Sequence, residues 1–397
     1  MTDTSTRPTD RFMPWAVFLG MSWTWCIGMF LPVLLVRDLG ISGWLVFAIP
    51  NVLGAAAMGF ILRRRTQSRR LVRTHQPMLR LFSWVTIAFH IFFIQWFVGA
   101  RLGIDGAILL LAVASVPLGW VMLRFRGGEL ALAVIAFLTS LGVIAFVLVF
   151  GRHHTIPAIA PAAGGKAVLG SLELLPVCLL GFGLCPYLDL TFHRARQHLN
   201  YGASRPAFAL GFGLFFLAMI VFSLHYAPNL AALLRGEVSV PRPWAVAIAV
   251  HLLVQSATTI LFHFRALWDT QQRRPRGNWP VIVAVLVPLL LAELCGARGP
   301  AFGLDCGEIV YRVFMGSYGL IFPAYACTCM IPLSRPGRPG WARVMLFIVA
   351  VIGAMPFYFR GFVIGDFARL LPGVGVVLAA TVIVRLTCVG AGPAGKS

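Results

Sequence analysis

Four acidic side chains fall inside long apolar stretches of this sequence. They are Glu173, Asp189, Glu293 and Glu308, out of thirteen Asp and Glu residues. An ionisable group inside a bilayer is costly, so it marks a pathway, a relay or an ion pair. Asp189 precedes His193 by four residues, a spacing that puts acid and imidazole on one helix face. That pair suits a proton relay or an inner gate; the plainer role is an interfacial ion pair. Glu308 precedes Arg312 by four and is expected to pair with it, and Glu293 is within reach of Arg298 or Arg312. His90 lies mid-segment, and His251 lies one turn before Gln255. Imidazoles titrate near neutral pH, although a lone His in a span more often bonds one helix to another. Trp23 and Trp25 offer indole faces for stacking on a solute ring, while Trp15, Trp44 and Trp244 fit interface belts.

The elements that carry these residues are membrane spans. Of 397 residues, 59% are hydrophobic and 12% charged, and the mean hydropathy is +0.85. This excludes a soluble globular enzyme, a disordered regulator and a secreted disulfide scaffold. Apolar runs cover 12–36, 41–62, 79–100, 104–123, 129–150, 169–190, 206–226, 243–264, 279–296, 308–331, 343–360 and 371–390. Each is about long enough to cross a bilayer once. The expected fold is an all-α polytopic membrane protein of about twelve transmembrane helices, one membrane domain over 1–397. The net charge of +20 forms no basic domain, so no nucleic-acid partner is expected. With both termini placed in the cytoplasm, inner segments hold 23 of the 33 Lys and Arg residues. That asymmetry fits the positive-inside rule and a multi-pass inner-membrane location. The first apolar run lacks a small-residue cleavage site, so no cleaved signal peptide is expected.

Two spans mix Gly, Pro and polar residues at depth. The first holds Gly20-Met-Ser22-Trp-Thr24-Trp-Cys-Ile-Gly28 and then Pro32; the sixth holds Pro176 and then Gly181-Phe-Gly183-Leu-Cys-Pro186-Tyr-Leu-Asp189. Broken helices are tolerated where freed backbone groups face protein or a wet cavity. Spans one and six are equivalent if ten helices form two inverted groups of five, 12–150 and 169–331, with two peripheral helices over 343–390. Paired interruptions at matching positions point to a transporter's central site. Residues 151–168 read as an irregular outer loop, and Asn229 to Gly236 as a short outer helix with an Asn cap and a Gly stop. Cys295 and Cys306 flank one outer loop, a disulfide position if that side is oxidising. Cys327 and Cys329 point apart on a helix, so no shared metal is expected there.

This arrangement resembles the LeuT-type fold of the amino acid–polyamine–cation superfamily, at its sodium:solute symporter end. Three stretches carry the likeness: Ile49-Pro50-Asn51-Val-Leu-Gly54, Cys185-Pro-Tyr-Leu-Asp189-Leu-Thr-Phe-His193-Arg194, and Gln255-Ser256-Ala-Thr258-Thr259. The resemblance implies a secondary transporter that moves a small organic solute by alternating access. It implies a sodium ion between the first break and helix eight, held by the carbonyls of Gly20, Trp23 and Gln255 and the hydroxyls of Thr258 and Thr259. The plainer role of such hydroxyls is to bond the carbonyl four residues back. The implied solute contacts are Trp23, Trp25, Gly181, Gly183 and Tyr187, and Asp189, His193 and His251 would gate or relay protons. Na+ or, alternatively, a proton is the implied coupling ion, and no other cofactor or metal is expected. A membrane enzyme with a lipid-facing site is the first rival. Here no H-x-x-H-H cluster exists, and the loop at Asp38 is too short for a sugar-donor site. A transporter-like sensor or scaffold is the second, weakened by the lack of a soluble output domain.

Overall fold

A computed structural model describes residues 9–125, 127–150, 164–237, 239–270, 279–331 and 340–389. Among them there is no β-strand, only two isolated bridges. Eleven helices are long and apolar enough to cross a membrane. The first of these, Cys26–Ile61, is two legs meeting at Gly40, whose φ of 65° and ψ of −155° no helix contains. The Trp23 indole N–H donates to the Asn51 amide oxygen at 2.6 Å. A straight helix would hold those residues about 40 Å apart, so the chain reverses between them. Counting both legs, the described residues make twelve crossings, in the places the hydropathy predicts.

Burial sorts the spans. In the third (Gln76–Arg101), eighth (Arg242–Asp269) and tenth (Cys306–Met330), 72% of the most apolar window is buried; in the fourth (Ala107–Arg124) it is 11%. The ninth (Trp279–Gly296), eleventh (Trp341–Phe362) and twelfth (Phe367–Thr387) are also largely exposed. Their outward Leu, Val and Ile side chains suit lipid. The core therefore forms around the third, eighth and tenth spans, with the first, sixth and seventh packed against them and about half-buried.

The seventh span differs from its expected form. It runs unbroken over Tyr201–Leu234, so Asn229 lies within it and starts no separate helix. Pro228 removes one N–H but the Ala- and Leu-rich turn that follows keeps the helix going. The expected stop is present, since Gly236 has φ of 70°. Of the predicted irregular outer loop 151–168, residues 151–163 lie outside the described residues, and 164–168 form the start of the helix Gly164–Leu184 instead of loop.

Candidate functional site

The first span ends its first half-helix at Trp23 and restarts at Cys26, with Trp25 extended at ψ of 174°. The groups freed there are satisfied locally. The Thr24 hydroxyl donates to Gly20 O at 2.8 Å, Trp25 N–H to Trp23 O at 2.9 Å, and the Trp25 indole to Ser22 O. Cys26 N–H finds the Nε2 of His90 on the third span. Tyr311 and Tyr226 donate to the carbonyls of Cys26 and Met29.

The sixth span breaks as well. Helix Gly164–Leu184 passes into a single tight turn, Cys185–Leu188, then extended Asp189, then helix Leu190–His198. Pro186 has no N–H, so the Phe182 carbonyl goes unclaimed within the helix. That carbonyl rests against Gly54 of the second span. Asp189 begins the second half-helix as its cap: one carboxylate oxygen accepts from both Thr191 N–H and Thr191 hydroxyl at 2.7 Å. The other oxygen is buried without a partner.

The expected Asp189–His193 pair does not form. The rule of four holds inside a helix, and Asp189 sits at the cap with extended backbone. His193 bonds the Ser68 hydroxyl at 2.8 Å and the Tyr187 carbonyl at 2.9 Å instead. The carbonyl only accepts, so Nε2 carries the proton and Nδ1 accepts from Ser68.

The two breaks meet. Trp23 packs on Phe192 with ring centres 4.9 Å apart, and on Trp25 at 4.4 Å. Between them lies a cavity of about 20 Å³, walled by Trp23, Trp25, Gly28, Asn51, Gly181, Phe182, Cys185 and Tyr318 among others. That is room for about one water, so the centre is closed around its aromatic rings. Of the predicted solute contacts, Trp23, Trp25 and Gly181 line this space, while Gly183 and Tyr187 do not. Asn51 and Tyr318 do line it, and neither was among the predicted contacts. Asn51 is an amide in an otherwise apolar span, a signal present in the sequence; Tyr318 gives none, because only packing brings the tenth span here.

The eighth span lies against the first half-helix. Gln255 donates to the Met21 sulfur at 3.3 Å, and Phe262 meets Phe18 at 4.5 Å. Residues 255, 258, 259 and 262 share one helix stripe, so Thr258 and Thr259 face the same element. Both hydroxyls are fully buried and have no hydrogen-bond partner. Elsewhere Thr86, Thr139 and Thr328 bond the carbonyl four residues back. Gln255 and His251 share the Ser140 hydroxyl at 2.8 and 2.9 Å, leaving Gln255 Oε1 and His251 Nε2 unpartnered. Gly20 packs on the seventh span, where any side chain would collide with Gly211 O and Phe215. Its carbonyl, like that of Trp23, keeps a second lone pair after its local bond.

Ion pairs close both ends. At one end, Arg37 grips Glu308 with two bonds of 2.6 and 2.8 Å, and Arg312 reaches both Asp38 at 2.6 Å and Glu308 at 2.8 Å. The predicted Glu308–Arg312 pair is thus one side of a four-member ring joining the first and tenth spans. Glu293 takes Gln95, not an arginine, at 2.6 Å. Below the ring is an apolar vestibule of about 60 Å³ that shares Gly181, Phe182 and Tyr318 with the central cavity. At the other end Arg194 binds Glu129 and Asp269. Arg196, fully buried, donates to the carbonyls of Leu62, Arg63 and Leu199. Its positive charge thereby meets the negative end of the second span.

No family model matches the chain, and no curated protein matches it. Among solved structures the chain is similar to a mutant of the Eremococcus coleocola manganese transporter, at 15% identity and a TM-score of 0.45, over 94% of this chain and 92% of that one.

Proposed function

We propose that the chain is a secondary active transporter of the LeuT type, moving a small organic solute across an inner membrane by alternating access. The first ten spans would be two inverted groups of five, with the last two peripheral. The solute site would lie between the two breaks, against Trp23, Trp25 and Gly181, with Gly183 and Tyr187 joining when the cavity widens. Sodium would bind between the first break and the eighth span, through Thr258, Thr259 and the carbonyls of Gly20, Trp23 and Gln255. The observation that carries this reading is the pair of buried, unpartnered Thr258 and Thr259 hydroxyls on the stripe facing the broken helix. Oxygen donors are what a hard cation takes, and buried hydroxyls are rarely left unpaired.

A proton is the second reading of the coupling ion. The observation that favours it is the unpartnered Asp189 oxygen, since a buried charge needs a partner or a proton. His193 and His251 would then relay.

The test is uptake by membrane vesicles of radiolabelled amino acids, nucleobases and sugars under a sodium gradient. The expected result is sodium-stimulated uptake of one class, lost in the Thr258→Ala, Thr259→Ala double variant while that protein stays folded. Unchanged sodium dependence in the variant would sink the site.

A further inference from the structure

We propose that Cys295 and Cys306 form a disulfide on the outer face, which no role in transport requires. Cys295 ends the ninth span and Cys306 opens the tenth, and their sulfurs lie 2.7 Å apart. The chain on both sides of Cys306 is held by other contacts. Asp305, the residue before Cys306, accepts from the Trp96 indole at 2.7 Å and from Arg101, both on the third span. Gly307, the residue after, rests against the same indole. Between the cysteines the chain folds back on itself, with Ala301 and Leu304 exchanging two backbone bonds of 2.9 Å. Closing the sulfurs from 2.7 Å to the ~2.05 Å of a disulfide takes only a sub-ångström shift of the two side chains. Cys26, Cys178, Cys185, Cys327 and Cys329 lie buried within the spans.

The pair sits at the end that the distribution of basic residues assigns to the outside, where disulfides persist. The oxidant is a donor disulfide, carried by a protein or a small molecule. The more exposed Cys306 gives up its proton, and its thiolate attacks one donor sulfur and releases one donor thiolate. Cys295, deprotonated in turn, attacks the Cys306 sulfur and releases the second. Two protons and two electrons leave the chain, and the donor ends as two thiols. The bond fastens the outer start of the tenth span to the ninth, two residues before Glu308 of the four-member ion-pair ring.

The test treats intact cells bearing the full chain with a membrane-impermeant maleimide, with and without prior reduction by an impermeant phosphine. Digestion without reduction and mass spectrometry then read each cysteine. The expected result is a linked Cys295–Cys306 peptide before reduction and maleimide on Cys306 after it. In Cys295→Ser, Cys306 should be labelled with no reductant. Free thiols at both positions in the untreated protein would overturn the proposal. So would labelling of Cys306 in Cys295→Ser only after the membrane is permeabilised, because that places the pair on the reducing side.

Discussion

Cys26 donates its backbone N–H to His90 Nε2 across 3.2 Å, so an imidazole from the third span caps the restarted half of the first. The other ring nitrogen faces the Thr86 carbonyl at 2.7 Å. A carbonyl only accepts, so Nδ1 carries the proton and His90 is neutral. The freed end of a broken helix thereby gains the acceptor that its own chain does not supply.

Replacing that acceptor is the first prediction. His90→Ala leaves Cys26 N–H buried and unpaired, at a cost of about 1–3 kcal/mol. Thermal unfolding in detergent should show a lower midpoint, partly recovered in His90→Gln, whose side-chain oxygen can accept. Equal midpoints for all three proteins would remove His90 from this role.

The ring of Arg37, Asp38, Glu308 and Arg312 makes a graded prediction. Glu308 accepts from both arginines and is 3% exposed, whereas Asp38 is 24% exposed. Glu308→Gln leaves two guanidinium groups short of a buried partner, a loss of about 3–5 kcal/mol. Asp38→Asn should cost clearly less. Removing Arg37 and Glu308 together should cost less than the two single losses added, which a double-mutant cycle measures. Strict additivity would mean the pair does not couple.

Close approach of the second and sixth spans gives a third. A β-carbon on Gly54 would lie 2.4 Å from the Phe182 carbonyl oxygen, while one on Gly142 would meet nothing within 4 Å. Gly54→Ala should destabilise by about 1–3 kcal/mol through overpacking. Gly142→Ala should be neutral or stabilise slightly, since Ala favours helix. Unfolding midpoints of the two variants compare them directly, and similar values would mean the breaks tolerate separation.

Much of this was legible before any coordinates. The twelve apolar runs map onto the spans because hydrocarbon thickness fixes their length, and the gap between runs 12–36 and 41–62 holds the reversal, at Gly40. The first break falls at Thr24 and Trp25, inside the Gly20–Gly28 window. The sixth falls at Cys185–Asp189, at the inner end of the Gly181–Asp189 stretch, because the tight turn Cys185–Leu188 forms around Pro186. The Asp189–His193 pair was misread because sequence spacing assumes a helix that the cap interrupts. The caps by His90 and Arg196, and the wall formed by Tyr318, depend on which distant spans touch. Local pattern carries no record of that.

The central claim is an ion site between the broken first span and the eighth. Its most direct test is the sodium dependence of thermal unfolding in detergent, with choline holding ionic strength constant. A cation that binds only the folded chain raises the midpoint by mass action. The account predicts a sodium-specific rise for the wild-type protein that disappears in the Thr258→Ala, Thr259→Ala variant. No rise in the wild type, or an equal rise in the variant, would contradict it.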